Sequence, residues 1–425
     1  MADYVKPRGT ADIMPDEAAE WRYLEETARK WFAVYHYREI RTPLFEHTEV
    51  FERGVGDTTD IVQREMYTFI DRGDRSLTLR PEGTAGVVRA FVEQKLYGGA
   101  LPVKFYYSGP MFRYEKPQAG RYRQLHQYGV ELIGTDDPRS DAEVIEMADR
   151  YLRAVGVRSL RLEINSVGCP VCRAAHKELL FAHLASVRYS LCADCQTRFE
   201  KNPLRILDCK KDRENPVVAT SPTITDHLCA DCATHFQQVT GCLDELQVSY
   251  VINPVMVRGL DYYTKTAFEF MEDSIGAMST ILAGGRYNSL VEMLGGPNLP
   301  GIGFAGGIER LQLARKANGV EEVGTDRIDV YVIALGELAG RVSARVVQAL
   351  RAQGICSDAD YTSRGLKAQL KTADRLQATF AILIGDDEVR AGAVTLRNLA
   401  TKEQLAVAET EIVTTVAHAL RERSR

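Results

Sequence analysis

The stretch Ser108 to Gly134, SGPMFRYEKPQAGRYRQLHQYGVELIG, constrains this chain more than any other. Aromatic and β-branched residues enrich Val103 to Glu115 and Gln124 to Ile133, which predicts two strands. Between them, Lys116 to Arg123 carries the turn-formers Pro117 and Gly120 and the cations Lys116, Arg121 and Arg123. That composition predicts a polar, basic loop. Alternation then decides which side chains meet. Arg113 and Glu115 fall on one face of the first strand, and Gln127 and Glu131 on one face of the second. Gly129 lies between the latter two and leaves that face bare, with room for a ligand. Such a face is a poor hydrophobic core. It suits either a solvated surface or the floor beneath a charged ligand, and the stretch alone leaves both open.

With 425 residues, 45% hydrophobic and 26% charged, the chain is expected to be an ordinary globular protein of two or three domains. No apolar run approaches the ~20 residues needed to span a bilayer, and MADYVKPRGT has no apolar stretch of the secretory kind. Nine cysteines in such a chain are expected as thiols or metal ligands in a reducing compartment, the cytoplasm. A net charge of −5 argues against bulk, non-specific nucleic-acid binding but allows a local basic track. Arg364, Lys367, Lys371 and Arg375 recur at helical spacing and are expected on one helix face, either as a solvated face or as a phosphate track.

Periodicity predicts a helix over Asp16–Tyr35 and a strand over Arg38–Thr42, closed by Pro43. Strands over Glu65–Ile70 and Ser76–Leu79 lead into Leu79-Arg80-Pro81-Glu82-Gly83-Thr84, a strand-to-helix corner with Thr84 as the expected N-cap. Residues 169–244 change texture, with clustered cysteines and helix-interrupting prolines. They are expected to form a helical insertion within a first domain of residues 1–168 and 245–323. Val257–Phe270, with Arg258, Tyr262 and Tyr263, reads as strand-rich. Gly284-Gly285 reads as a turn into a helix beyond Tyr287. Gly301–Leu311 reads as a glycine-rich strand running into a helix that carries Arg310; no GK[ST] follows, which excludes a P-loop. Alternating β and α elements beyond Gly324 predict a small α/β domain over 327–425.

Phe112-Arg113-Tyr114-Glu115 resembles motif 2 of the class II aminoacyl-tRNA synthetases, in the form found in the histidyl-tRNA synthetase family. The LRPEGT run at 79–84 and the segments VRGLDYY, LAGGRYNSL and GIGFAGGIERL are similar to further signatures of that family, in the same order. The last resembles motif 3, although Gly307-Ile308 departs from the pattern most class II enzymes show before Glu309-Arg310. Residues 16–43 resemble motif 1, a dimer contact. The resemblance implies an α+β fold: a class II antiparallel-sheet catalytic domain, a helical insertion and a C-terminal α/β anticodon-binding domain. It implies a homodimeric, non-membrane histidine–tRNA ligase that uses ATP with Mg2+, activates L-histidine as its adenylate and charges tRNA(His).

The same resemblance implies roles for residues. Arg113 would grip the α-phosphate and the substrate carboxylate, Arg258 would lie at the α-phosphate and near histidine, and Arg310 at the γ-phosphate. Such chemistry needs positioning and charge neutralisation more than a protein nucleophile, and the guanidinium fork matches phosphate oxygens. Glu115 and Arg121 would also meet ATP, Glu115 as a candidate Mg2+ ligand. Neutral imidazole offers one donor and one acceptor; Glu131 would accept and Tyr263 donate, with Gln127, Tyr262 and Tyr287 around them. Glu82 would pair with the α-ammonium, supported by Gly83 and Thr84. Gln118 and Arg121 would touch the tRNA acceptor end, and Arg364, Lys367, Lys371 and Arg375 the anticodon arm. The competing readings are a histidine-sensing regulatory subunit of ATP phosphoribosyltransferase, which loses ATP-binding residues and the C-terminal domain, and an inactive tRNA-binding module. The arginines disfavour both, and the last hundred residues also disfavour the first.

Cys169-x-x-Cys172 and Cys192-x-x-Cys195 have the spacing of two halves of a four-cysteine zinc site. Cys229-x-x-Cys232 is a third pair, and Cys209 a substitute ligand. Zinc there is expected to be structural. The other reading is reduced thiols packed as small hydrophobes.

Overall fold

The computed structural model describes residues 4–56, 59–201, 203–207, 209, 211–257, 259–321, 323, 328–362 and 364–423. They fall into two units, Met1–Glu322 and Val323–Arg425.

Alternation along the strand Gln124–Ile133 sets the layout of the first unit. Tyr128, Val130 and Leu132 face one side, where they meet Phe268, Phe270, Ile302 and Phe304 from neighbouring strands. Leu24 and Phe32 of the helix Pro15–Val34, and Ile145 and Tyr151 of the helix Pro138–Ala154, close over them. Burying each such side chain is worth about 1.5–3 kcal/mol, and a one-residue slip would turn the whole set outward. Gln127, Gly129 and Glu131 therefore face the other way. The register spreads this division. On one flank Glu131, Gly129 and Gln127 pair with Gly303, Ala305 and Gly307. On the other they pair with Phe105, Tyr107 and Gly109.

The sheet has eight strands, in the order Arg38–Glu39, Val103–Phe112, Gln124–Ile133, Gly301–Gly307, Thr280–Arg286, Thr264–Met271, Arg161–Ser166 and Val251–Ile252. The two short outer strands pair in parallel and the rest antiparallel. A three-stranded sheet of Phe45–His47, Ser76–Leu79 and Tyr67–Ile70 stands beside it and feeds the helix Thr84–Glu93. Within 169–244 the helices Pro170–Leu184 and Ala193–Lys201 share a small core that includes Leu180, Leu184, Cys195 and Phe199. The last helix there, Ala230–Glu245, instead places Val239 and Leu243 in the main core.

The second unit has five strands, ordered Ser357–Ala359, Val330–Leu335, Phe380–Gly385, Ala393–Asn398 and Gln404–Ala408. The first three are parallel and the last two antiparallel. Among the described residues no helix is long and apolar enough to cross a membrane.

Three local expectations need correction. The strand from Val103 ends at Phe112, not Glu115, because Tyr114 N–H turns away to donate to the Glu65 carbonyl at 2.7 Å. Gly284-Gly285 is not a turn but the middle of the strand Thr280–Arg286. A Cβ on Gly284 would lie 2.5 Å from the Phe268 ring, and one on Gly285 would lie 2.8 Å from the Tyr263 ring, so the glycines let rings cross the sheet. Thr84 is the first helical residue and Gly83 holds the N-cap position. The cap is the Glu82 carboxylate, which accepts from Thr84 N at 2.7 Å and Ala85 N at 2.8 Å.

Candidate active-site cleft and two cysteine clusters

The face that carries Gln127 and Glu131 floors a cleft of about 550 Å³. Glu131 is only 1% exposed. Its Oε1 accepts from Thr84 Oγ1 at 2.6 Å and its Oε2 from the Tyr287 hydroxyl at 2.5 Å. Burial pushes its carboxyl up to about 8, against the pull of the Thr84 and Tyr287 hydroxyls. Tyr262 packs tilted on Tyr263 at 4.7 Å and edge-on to Tyr287 at 5.8 Å. This end is thus a tight aromatic pocket with a carboxylate at its floor.

Arginines crowd the other end. Arg113 Nε donates to the Pro81 carbonyl at 2.7 Å, and burial pushes its guanidinium down against the pull of Glu65 and Glu82. Arg121 pairs with Glu115, whose Oε1 is 3.9 Å from Arg113 Nη1. Arg310 Nη1 donates to the Thr280 carbonyl at 2.8 Å. Burial pushes Arg310 down to about 10, and the charges of Arg121 and Arg113 push the same way. Arg310 is thus held close enough to Arg121 and Arg113 for the cations to disfavour one another.

Glu82, Thr84, Arg113, Glu115, Arg121, Gln127, Glu131, Tyr262, Tyr263, Tyr287 and Arg310 all line this cleft. Gly83 lies behind it, where a Cβ would strike the Tyr107 ring. Arg258 lies outside the described residues. The space expected above Gly129 is not left for a ligand: a Cβ there would be 2.5 Å from Tyr107 Cζ and 2.6 Å from the Phe304 carbonyl oxygen. The ring of the neighbouring strand fills it. Sequence reasoning misses Tyr107; its pairing opposite Gly129 in the strand register is what reveals it. Glu65, Glu269 and Arg205 also line the cleft unforeseen, and their sequence surroundings carry no signal for it.

Gln118 and Arg121 close the tip of the basic loop by exchanging backbone hydrogen bonds of 3.1 and 2.9 Å, with Gly120 at φ 68° in the turn. In the second unit Lys367, Lys371 and Arg375 are exposed along the helix Leu366–Arg375. Arg364 is not on that helix: it precedes the N-cap Gly365, and its Nε donates to Asp360 at 2.8 Å.

The cysteines group differently from the expectation. Cys169 and Cys172 meet Cys229 and Cys232, whereas Cys192 and Cys195 meet Cys209 and Asp212. A single site of Cys169, Cys172, Cys192 and Cys195 is not formed. The helix Pro170–Leu184 intervenes, and at ~1.5 Å per residue it carries the chain about 20 Å away.

Comparison with known proteins agrees with this architecture. A family model described as histidyl-tRNA synthetase matches residues 9–311, and one described as an anticodon binding domain matches 329–418. Histidine–tRNA ligase 1 of Shouchella clausii (strain KSM-K16) is 52% identical over 418 residues, 98% of each chain. Histidine–tRNA ligase of Geobacillus sp. (strain WCH70) is 53% identical over 404 residues, 94% of this chain and 96% of its own. The crystal structure of apo S. aureus histidyl-tRNA synthetase matches with a TM-score of 0.83 at 42% identity, covering 97% of this chain and 99% of that one. With the class II synthetase fold in its first unit and these matches along nearly its whole length, the chain belongs to the histidyl-tRNA synthetase family.

Proposed function

We propose that the chain is a histidine–tRNA ligase. A carboxylate oxygen of L-histidine attacks the α-phosphorus of ATP and pyrophosphate leaves. A ribose hydroxyl of the 3′-terminal adenosine of tRNA(His) then attacks the acyl carbon and AMP leaves. The observation that carries this reading is the pairing, in one cleft, of a buried carboxylate among tyrosines with mutually repelling arginines.

Each group has a physical task. Glu131 accepts the imidazole N–H, and the Tyr263 hydroxyl donates to the other ring nitrogen. Glu82 pairs with the α-ammonium, and Gln127, Tyr262 and Tyr287 shape the pocket. Arg113 and Arg258 neutralise the α-phosphate and Arg310 the γ-phosphate, stabilising charge as it develops. Glu115 and Glu269 line the cleft and would hold the Mg2+ that accompanies ATP, which prefers oxygen ligands and would neutralise phosphate charge. Gln118 and Arg121 meet the acceptor end of tRNA, and Lys367, Lys371 and Arg375 meet the anticodon arm, with Arg364 beside them.

We place the enzyme in the cytoplasm as a homodimer. In support of the dimer, Phe45 and Phe69 are exposed on one face of the small sheet with their rings 6.4 Å apart, an apolar patch of the kind that marks an interface. The arginines and the anticodon-binding match over 329–418 favour this over a regulatory subunit. ATP–pyrophosphate exchange, run with each amino acid in turn, tests the assignment. Exchange supported by histidine alone is the expected result, and no exchange with histidine would refute it.

A further inference from the structure

Two groups of soft ligands lie outside the cleft chemistry. In the first, the four sulfurs of Cys169, Cys172, Cys229 and Cys232 lie within 4.8 Å of one another. Cys169 Sγ is 3.6 Å from Cys172 Sγ and 3.9 Å from Cys229 Sγ. A disulfide requires about 2.05 Å. A tetrahedron with metal–sulfur bonds of about 2.3 Å has edges of about 3.8 Å, close to these two separations. In the second group, Cys192 Sγ is 3.8 Å from Cys209 Sγ, and Cys209 Sγ is 3.6 Å from Asp212 Oδ2. An edge between sulfur and a carboxylate oxygen on one tetrahedral metal is about 3.5 Å.

The chain builds both groups by the same device. Leu191-Cys-Ala-Asp-Cys195 recurs as Leu228-Cys-Ala-Asp-Cys232. Cys169 and Cys229 are the N-caps of Pro170–Leu184 and Ala230–Glu245, and Cys192 immediately precedes the helix Ala193–Lys201. Each pair thus sits on a first helical turn, where the helix dipole favours thiolates. Cys229 N–H also donates to Cys172 Sγ at 3.1 Å, and Cys192 N–H donates to Asp212 Oδ2 at 3.1 Å, which orients a ligand in each group. Thiols acting merely as small hydrophobes account for neither the convergence of four ligand atoms within 4.8 Å in both groups nor the carboxylate in the second.

We propose that this chain holds two separate structural zinc ions, one on Cys169, Cys172, Cys229 and Cys232, the other on Cys192, Cys195, Cys209 and Asp212, and that they position Arg173 against the backbone of the tyrosine segment and Arg205 at the cleft. Zinc takes thiolate and carboxylate ligands in tetrahedral structural sites, and four protein ligands leave no open coordination position. Arg173 follows Cys172 directly, and its Nη1 donates to the Tyr263 carbonyl at 3.1 Å. Arg205 lies between Cys195 and Cys209, lines the cleft and reaches Asp60 at 3.4 Å. One metal thus braces the backbone of the tyrosine segment, and the other braces a cleft wall.

The test is elemental analysis of the full chain, purified under reducing conditions without chelator or metal-affinity resin. The expected result is two zinc ions per chain, falling to one in Cys229→Ser and one in Cys209→Ser. Cobalt(II) titration of chelator-stripped protein should develop thiolate charge-transfer absorption that saturates at two equivalents. Absence of zinc, iron in its place, saturation at one equivalent, or a single zinc lost in both variants would overturn the two-site assignment. These wild-type measurements stand even where a variant fails to fold. Hydrogen exchange tests the positioning. Zinc removal should speed amide exchange over 203–207 and 260–263 while the second unit stays unchanged; unchanged exchange in both segments would overturn that part.

Discussion

Tyr287 and Glu131 are joined by a short hydrogen bond, the tyrosine hydroxyl donating to Oε2 at 2.5 Å. Thr84 holds the other oxygen at 2.6 Å. A carboxylate has about four lone-pair sites, so this clamp fixes the group and still leaves acceptor capacity facing the cleft.

Glu131→Ala should raise the histidine KM about 10- to 100-fold, since an unpaired buried donor costs roughly 1–3 kcal/mol. The KM for ATP should stay nearly unchanged. Pyrophosphate-exchange kinetics with each substrate varied separately will check this. Equal damage to both would mean that Glu131 chiefly holds the fold.

The same carboxyl makes stability depend on pH. Its ordinary value is 4.5, and burial raises it to about 8 in the folded state. Between those values the folded protein keeps a proton that the unfolded chain has released. The contribution is therefore complete below about 4.5 and is lost as pH rises towards about 8. Denaturation midpoints of wild type and Glu131→Gln, compared across that window, should shift in the variant's favour as pH rises. Parallel profiles would contradict the raised value.

Arg310 carries its charge against Arg121 and Arg113, a cost that a bound polyphosphate would relieve. Arg310→Met should lower pyrophosphate exchange by about a hundredfold or more, the scale of losing an electrostatic stabiliser. It should also shrink the rise in Tm that ATP gives the wild type. An unchanged ATP-induced shift would place the γ-phosphate elsewhere.

Gly129→Ala should destabilise the first unit by about 1–3 kcal/mol, the usual cost of overpacking. Its Cβ would sit 2.5 Å from the Tyr107 ring and 2.6 Å from the Phe304 carbonyl oxygen, and neither can withdraw without disturbing the sheet. Gly241→Ala is the control. That glycine lies in the helix Ala230–Glu245 with nothing within 4 Å of an added Cβ, so the change should be neutral or stabilising by up to about 1 kcal/mol. Chemical denaturation of both variants will separate them.

Lys367, Lys371 and Arg375 share the exposed side of one helix. Replacing Lys367 and Lys371 with Ala should weaken tRNA binding and flatten its salt dependence by up to about one unit of slope per lost phosphate contact. Pyrophosphate exchange without tRNA should be unaffected. An unchanged salt slope would make this a solvated face.

Much of this protein is legible in its local chemistry. Gln124–Ile133 and Ser76–Leu79 are strands where alternation places them, because burial of one face rewards only that period. Alternation puts Glu131 on a polar strand face, whereas Glu82, Arg113 and Arg310 stand out through the resemblance of their segments to family signatures; all four line one cleft. What sequence could not decide depends on neighbours far along the chain. Gly284-Gly285 has the local signature of a turn, yet Phe268 and Tyr263 make it a strand by needing the space. Gly129 looks like room for a ligand until the register sets Tyr107 opposite it. Thr84 has the chemistry of an N-cap, but Glu82 reaches the same N–H groups first. Cysteine spacing identified metal-like pairs and not their partners, because a CxxC turn fixes two ligands locally while the other two come from wherever the helices bring them. Local periodicity and turn chemistry act over a few residues; which side chain occupies a given space is settled only when distant strands and helices compete for it.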